Sequence, residues 1–490
     1  MHDVLHMTIG STLRSLAASK PDVNAIICDG AQITWSQLSA CVQRLARELC
    51  SSTPPGAGIA IHLPNSPHFL AVFLAVAMTG RQAQVLDTDW PPSHLKDALK
   101  GLSPNLLVCE GTDFSYQSLL IDIDKPLAHI CPGEIFEPES PDALAPFYVG
   151  FTSGSTGIPK GYRRNHLSWV ASFAADAHEF GIGSNDIVAA PGSMSHSLFL
   201  YAAIHALHIG ASVILFRRFR PDVVMAEICD RGASVLYAAP TQLALLLDVS
   251  GAPIQTMRTV LSSGSKWSSV ISEKTPERFP NADFAEFYGA SELSFVTVRK
   301  IADKCPEASV GRAFHGVSIK IRDSGGDELP IGDTGRIFVS SPFLFTDYAI
   351  GSGDLVRRND ELCIGDIGYL DRDGFLYLEG RENRMIVTSG KNVFPEQIER
   401  VLNSHPSVKA SAVFGIPDRR RGERLVALVH GEPGSLSASE LMRYARRDLS
   451  LPFVPRIYAK PPEWRSTASG KTDFAGLKAD WLSGACEVLE

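Results

Sequence analysis

Short apolar runs punctuate the chain at regular intervals. Asn24 to Cys28, Gly58 to His62, Ala83 to Leu86, Leu106 to Cys109, Phe147 to Phe151, Asp186 to Ala190 and Ala233 to Ala238 each read as a short, buried strand. Between them lie segments with helical spacing. Trp35-Ser36-Gln37-Leu38 opens one, with Ser36 as the expected N-cap, and Asn65-Ser66-Pro67 starts another that carries Phe69 to Met78. His166 to Phe180 and the stretch from Pro240 to Leu247 read as further helices. Strand–helix alternation of this kind predicts parallel sheets with helices on both faces. Phe69 to Met78 is too short to span a bilayer. Leu198 to Phe216 is interrupted by His205, His208 and Gly210, and reads as helix, turn and strand. No integral membrane segment is therefore expected.

The pattern changes after residue 310. Val317 to Ile321, Arg336 to Val339 and Phe375 to Leu378 are short β-runs set among glycines and aspartates, as in a small β-rich subdomain, with a hairpin turn at Asp371, Asp373 and Gly374. Beyond Gly380-Arg381 comes an α+β pattern: strand at Met385 to Val387, helix from Pro395 to Asn403, strands at Val408 to Phe414 and Arg424 to Val429, and helix from Ala438 to Leu449. The chain of 490 residues is long enough for two or three domains. The expected boundary gives domains 1–381 and 382–490. The 46 basic and 54 acidic residues leave a net charge of −8, which argues against nucleic acid as a partner. Nine scattered cysteines contain no C-x-x-C pair, so reduced thiols in a cytoplasmic protein are expected rather than zinc or disulfides. The opening residues show no basic-then-apolar signal segment.

One stretch carries chemistry. The run Phe147 to Phe151 feeds Thr152-Ser153-Gly154-Ser155-Thr156-Gly157-Ile158-Pro159-Lys160-Gly161. Glycines let backbone N–H groups converge on one point, hydroxyls add donors, and Lys160 adds positive charge, so the loop suits phosphate oxygens. It is not the common nucleotide P-loop, which needs Gly-Lys-Ser/Thr opening a helix. It resembles the signature loop of the adenylate-forming superfamily, which comprises acyl-CoA synthetases, peptide-synthetase adenylation domains and luciferases. Further stretches resemble that family's motifs in order: Glu286 to Glu292, Gly365 to Asp371, Gly380-Arg381, Gly390 to Glu399, and Ser469-Gly470-Lys471. The resemblance is strongest to AMP-forming acyl-CoA synthetases.

The resemblance implies an α/β fold: a large N-terminal domain of αβ-layered sheets with a small β-rich subdomain, and a small mobile α+β C-terminal domain. It implies ATP, Mg²⁺ and CoA as the small molecules bound. Thr152, Ser153, Gly154, Ser155, Thr156, Gly157 and Lys160 would hold phosphates. Ser263, Gly264 and Ser265 would cover one face of adenine, with Tyr288 and Gly289 offering a ring for stacking beside Ser291. Asp366 would accept hydrogen bonds from the ribose hydroxyls, a task suited to a carboxylate's several acceptor sites, with Arg381 nearby. Glu292 would hold Mg²⁺ through oxygen. His196 would lie beside the acid's carboxylate, although as a residue it reads equally well as an ordinary helix start. Lys471 would bridge the carboxylate and the nucleotide. Asn383 stands at the hinge and Gly390 in the CoA channel. The expected function is an ATP-dependent acid–thiol ligase that makes acyl-AMP and then acyl-CoA. Ser193 to Leu200 contains no acidic residue to pair an α-amino group, which disfavours amino acids. Phe199, Leu200, Tyr201, Ala202 and Ala203 suggest an apolar pocket wall, so a fatty acid is the first choice and an aryl acid the second. An enzyme loading a free-standing acyl or peptidyl carrier protein is the alternative. A non-catalytic or luciferase-like relative is less expected.

Overall fold

A computed structural model describes residues 7–111, 116–127, 136, 138–152, 160–264, 269–300, 303–388, 391–431, 436–466 and 472–490. The chain divides into two compact units. One comprises Met1–Ile319 and Val339–Gly353, the other Lys320–Phe338 and Asp354–Glu490.

The first unit is built on two sheets. In the nine-stranded sheet the central strands Asp283–Ala290, Thr259–Ser263, Val235–Ala238, Ile187–Ala190, Ser212–Leu215 and Asn24–Cys28 run parallel, and antiparallel strands close both edges. In the seven-stranded sheet Pro146–Thr152, Gln82–Val85, Gly58–His62, Leu106–Cys109 and Ser118–Leu120 are parallel, flanked by Lys160–Asn165 and Tyr348–Ile350. The helix Pro67–Met78 touches strands of both sheets, which explains why its sequence PHFLAVFLAVAM is apolar all round. Ser66 caps it by accepting from the Phe69 N–H. On the outer face of the nine-stranded sheet, Leu236, Ala238 and Val260 pack against Ile228, Leu243, Leu246 and Phe279.

Two local readings of the sequence need correction. The second helix runs Trp35–Ser52 and its cap is Thr34, not Ser36. Thr34 and Gln37 form a reciprocal capping box, which satisfies two orphan donors where Ser36 would satisfy one. A strand, Ala31–Thr34, precedes it and pairs with Asn24–Cys28. The helix expected over 438–449 stops at Ala445, and turns continue to Asp448.

In the second unit, strands from 318 to 381 form one six-stranded sheet and strands from 386 to 488 form another. The long hairpin Val408–Asp418 and Gly422–Gly431 alternates between two faces, with one register shift between Val408 and Ala410. Val413, Leu425, Ala427 and Val429 meet Ile398, Leu402, Leu441 and Ala445 on one face. Ala412, Phe414, Val426 and Leu428 meet Leu477 and Trp481 on the other. The helix Pro395–Asn403 has the bounds its spacing predicts. No helix among the described residues is long and apolar enough to cross a membrane.

Candidate active site

The hydroxyl-rich loop is the connection of a hairpin. Strands Pro146–Thr152 and Lys160–Asn165 are antiparallel, and Thr152 faces Lys160 across the register. Ser153, Gly154, Ser155, Thr156 and Gly157 lie outside the described residues, as do Ser265, Gly390 and Lys471. Period-two alternation puts Lys160, Tyr162 and Arg164 on one face of their strand. Tyr162 and Arg164 are buried. The Tyr162 hydroxyl lies 3.1 Å from that of Tyr148. Gly150 sits opposite Tyr162. A Cβ there would lie 2.1 Å from the Tyr148 hydroxyl and 2.3 Å from that of Tyr162, so only glycine leaves room for the pair.

Strand Asp283–Ala290 turns straight back into Ser294–Lys300. Ser291 and Glu292 therefore sit on a hairpin turn, and no helix begins there. Gly289 is required by close approach, since a Cβ would lie 2.0 Å from the Ser294 carbonyl oxygen. Ser294 takes φ of 62° to make the turn. Tyr288 pairs with Thr297 just before the register shift and stays half-buried. The Tyr348 hydroxyl donates to Glu292 Oε1 at 2.7 Å, and the Phe345 N–H donates to the Glu292 carbonyl at 2.9 Å. Tyr348 is paired in register with Tyr162. One short strand thus ties Glu292 to the strand that leaves the hydroxyl loop. Below them Arg164 donates to the Phe343 carbonyl and is attracted by Glu292. Burial pushes the Arg164 guanidinium down to about 10, which still leaves it cationic at neutral pH.

Glu292 is the only one of the expected ligands to Mg²⁺. Among the described residues no group of three His, Cys, Asp or Glu could hold a metal ion. Ser263 ends its strand with its hydroxyl donating to the Phe287 carbonyl at 2.9 Å, and the exposed Gly264 follows with φ of 110°. His196 is the N-cap of helix Ser197–Ile209 but makes no side-chain cap bond; its N–H donates to the Ser193 carbonyl at 3.0 Å. The wall expected beyond it is apolar and buried from Phe199 to Ala203. A separate cavity of about 270 Å³, lined by His62, Pro64, Thr88, Cys109, Glu110 and Gly111, contains none of the motif residues.

In the second unit, Asp366 and Arg381 are cross-strand partners, and Arg381 Nε lies 3.0 Å from Asp366 Oδ1. Asp366 is buried and Arg381 exposed. Asn383 is the exposed centre of a single 3₁₀ turn, Glu382–Arg384, without a positive φ. Its neighbours are pinned. Arg336 Nη2 donates to Glu382 at 2.7 Å. Arg384 donates to Glu396 at 2.9 Å and to Glu399 at 2.6 Å, and its guanidinium lies 3.7 Å from the Phe474 ring centroid.

Reading the sequence for motifs missed Tyr162, Arg164 and Tyr348. The first two were detectable, because Lys-Gly-Tyr-Arg-Arg-Asn continues past the loop with strand alternation. Tyr348 was not, because a three-residue strand far along the chain gives no local sign of its partner.

Layered αβ sheets, a glycine- and hydroxyl-rich hairpin loop and an acidic turn tied to the strand leaving that loop define an adenylate-forming enzyme, an ATP-dependent ligase. The chain belongs to the AMP-binding enzyme family, whose model matches residues 13–349 and whose C-terminal domain model matches residues 397–471. It is 37% identical over 484 residues to an uncharacterised acyl–CoA ligase of Bacillus subtilis (strain 168), covering 97% of this chain and 98% of that protein. It is 32% identical over 343 residues to a putative long chain fatty acid–CoA ligase of Staphylococcus haemolyticus (strain JCSC1435), covering 70% of this chain and 72% of that one. Among solved structures it is similar to o-succinylbenzoate CoA synthetase from Bacillus subtilis in complex with its acyl-adenylate, with a TM-score of 0.84, 25% identity and coverage of 96% and 98%.

Proposed function

We propose that this acyl-CoA ligase relative activates a straight-chain fatty acid with ATP and passes the acyl group to CoA in the cytoplasm. A carboxylate oxygen attacks the α-phosphorus of ATP, the bond to the β-phosphate breaks, and pyrophosphate leaves. The CoA sulfur then attacks the acyl carbon and AMP departs. Phosphoryl chemistry of this kind needs positioning and charge neutralisation more than covalent help. Thr152 to Gly157 and Lys160 bind the departing phosphates. Tyr288, Gly289, Ser291 and Ser263 to Ser265 hold the adenosine, with Asp366 and Arg381 at the ribose. His196 faces the acid, and Lys471 carries charge to the reacting oxygens. Mg²⁺, when bound at Glu292, supplies neutralisation of phosphate charge. We further propose that residues 382–490 turn about Asn383 between the two half-reactions, bringing Gly390 to the thiol channel.

The observation that carries this reading is the fixed Glu292. Its side chain is held by Tyr348 and its backbone by Phe345, beside the strand that begins at Lys160. The choice of a fatty acid is supported by the buried apolar run Phe199 to Ala203 and by the long chain fatty acid name of one relative.

The test is pyrophosphate release across straight-chain and aryl acids, with Lys471→Ala alongside. Each methylene that fits an apolar slot adds up to about 0.8 kcal/mol of burial, so kcat/KM is expected to rise with chain length to a limit. Lys471→Ala is expected to lower acyl-AMP formation by about 10²–10³. Thioester formation from supplied acyl-AMP should survive. A ten-fold preference for benzoate-type acids would replace the fatty acid by the aryl reading.

A further inference from the structure

We infer that Arg384 is a positioning residue for acyl-AMP formation, whose guanidinium ties the residue next to the proposed pivot to Phe474, at the foot of the segment that carries Lys471. The inference rests on the functional reading above and adds to it a residue and a contact to which that reading gives no role.

The guanidinium is held from two sides. Arg384 ends the 3₁₀ turn Glu382–Arg384 and directly follows Asn383. Its Nη1 donates to Glu396 Oε1 at 2.9 Å and to Glu399 Oε2 at 3.2 Å. Its Nη2 donates to Glu399 Oε1 at 2.6 Å and to the Val413 carbonyl at 3.3 Å. The Val413 N–H in turn donates to Glu399 Oε1 at 2.7 Å. Helix Pro395–Asn403 and strand Val408–Asp418 thus fix the plane of the fork. Phe474 lies against it, with 3.7 Å between the guanidinium carbon and the ring centroid. A flat cation on a ring face is a directional contact that lysine does not reproduce.

Phe474 opens the helix Phe474–Leu482, three residues after Lys471. The residues between are anchored. Thr472 pairs with Ser466 in an antiparallel bridge, and the Asp473 N–H donates to the Arg465 carbonyl at 3.0 Å. The Asp473 side chain caps the helix by accepting from the Gly476 N–H at 3.0 Å. A shift of Phe474 therefore passes through two anchored residues to the lysine. The ring against Arg384 sets where Lys471 stands during acyl-AMP formation. In thioester formation Lys471 is no longer at the reacting atoms, and the contact has nothing to align.

Both half-reactions, measured on the same preparations of the full-length protein, test this. One is pyrophosphate release with the acid that gives the fastest rate; the other is thioester formation from the acyl-AMP of that acid. Phe474→Leu removes the ring face, keeps apolar bulk and leaves the ion pairs of Arg384 in place. It is expected to lower kcat for pyrophosphate release about ten-fold, with KM for ATP unchanged within about two-fold, because misplaced reacting groups cost rate rather than binding. Thioester formation should stay within about two-fold of wild type. Phe474→Tyr keeps the ring face and should retain both rates. Arg384→Lys should lose pyrophosphate release as Phe474→Leu does, and the two together should cost less than the product of the single effects, since both break one contact. Equal losses in both half-reactions, the mark of a packing role alone, would overturn the inference. So would wild-type pyrophosphate release in Phe474→Leu, or an equal loss in Phe474→Tyr. Absence of pyrophosphate release from the wild type with any acid, or undiminished release from Lys471→Ala, would instead overturn the functional reading.

Discussion

The two units fix their functional groups by different means. Around the motifs of the first unit the polar groups are buried. Tyr148, Tyr162 and Tyr201 are held neutral by burial, Asp176 is pushed up to about 7, and His205 and His208 are pushed down to about 3 and about 4. Arg164 is the buried cation among them. In the second unit the corresponding groups include charged pairs with at least one solvent-exposed member: Arg381 with Asp366, Arg336 with Glu382, and Arg465 with Asp480. A buried, interlocked network costs a great deal to distort. Half-exposed ion pairs can be broken and remade cheaply, because water takes over the charges. The first arrangement suits a fixed phosphate site. The second suits a part proposed to turn between half-reactions.

The sharpest way to break this contrast is to remove the buried cation. Arg164→Met keeps bulk and deletes the charge, leaving the Phe343 carbonyl without this donor and Glu292 without a cation that attracts it. Removing one member of a buried charged set typically costs about 3–5 kcal/mol. Urea denaturation is expected to show a loss of that order, with pyrophosphate release falling in the folded fraction because Glu292 loses the positive charge that attracts it. A loss below about 1 kcal/mol would mean the network is not the rigid base of the site.

The pH dependence of stability sharpens it further. Asp176 lies fully buried, accepts from the Tyr237 hydroxyl at 3.0 Å, and faces His205 at 3.6 Å. Burial raises its carboxyl from 3.8 to about 7, so between those values the folded chain holds more protons than the unfolded one. Stability then declines as pH rises through that window. His205 and His208 act oppositely. Their folded values lie below 6.5, so the unfolded chain holds more protons below 6.5 and stability declines as pH falls from there. Thermal unfolding of Asp176→Asn against wild type isolates the first effect: Tm of the variant relative to wild type should rise between pH 4 and pH 7. A difference independent of pH would show that Asp176 is ionised in the folded protein.

The secondary structure was largely legible because each element carries its own periodicity. His166–Phe180, Pro395–Asn403 and Pro240–Leu247 have the bounds their spacing predicts. Ser36 was misread as a cap because two hydroxyl residues stand close together and only the reciprocal bond to Gln37 distinguishes Thr34. The motif residues Thr152, Lys160, Tyr288 and Glu292 stood out because glycines and hydroxyls cluster there. Tyr162, Arg164 and Tyr348 did not, because their roles depend on pairing between strands far apart in sequence, which a single chain does not display. Asp176, His205 and Tyr237 were hidden for the same reason: they meet through the packing of two helices on a sheet.

The smallest expected effect lies beside the proposed hinge. Arg336 Nε donates to both Glu382 oxygens, at 3.2 and 3.1 Å, and Nη2 donates to Oε1 at 2.7 Å. The geometry is good, yet the Arg336 side chain is 28% exposed and that of Glu382 42% exposed. Water solvates both charges in either state, so the net gain from pairing them is expected at about 0.2–1 kcal/mol. Arg336→Ala should therefore lower stability by less than about 1 kcal/mol, and the difference should shrink further in 1 M salt, where the screening length is about 3 Å. Parallel urea titrations of Arg336→Ala and Arg164→Met, at low and high salt, place the two regions on one scale. If the Arg336 variant loses as much as the Arg164 variant, or its loss does not respond to salt, the pairs of the second unit are as rigid as the network of the first. The turn at Asn383 would then be held too firmly to serve as the pivot.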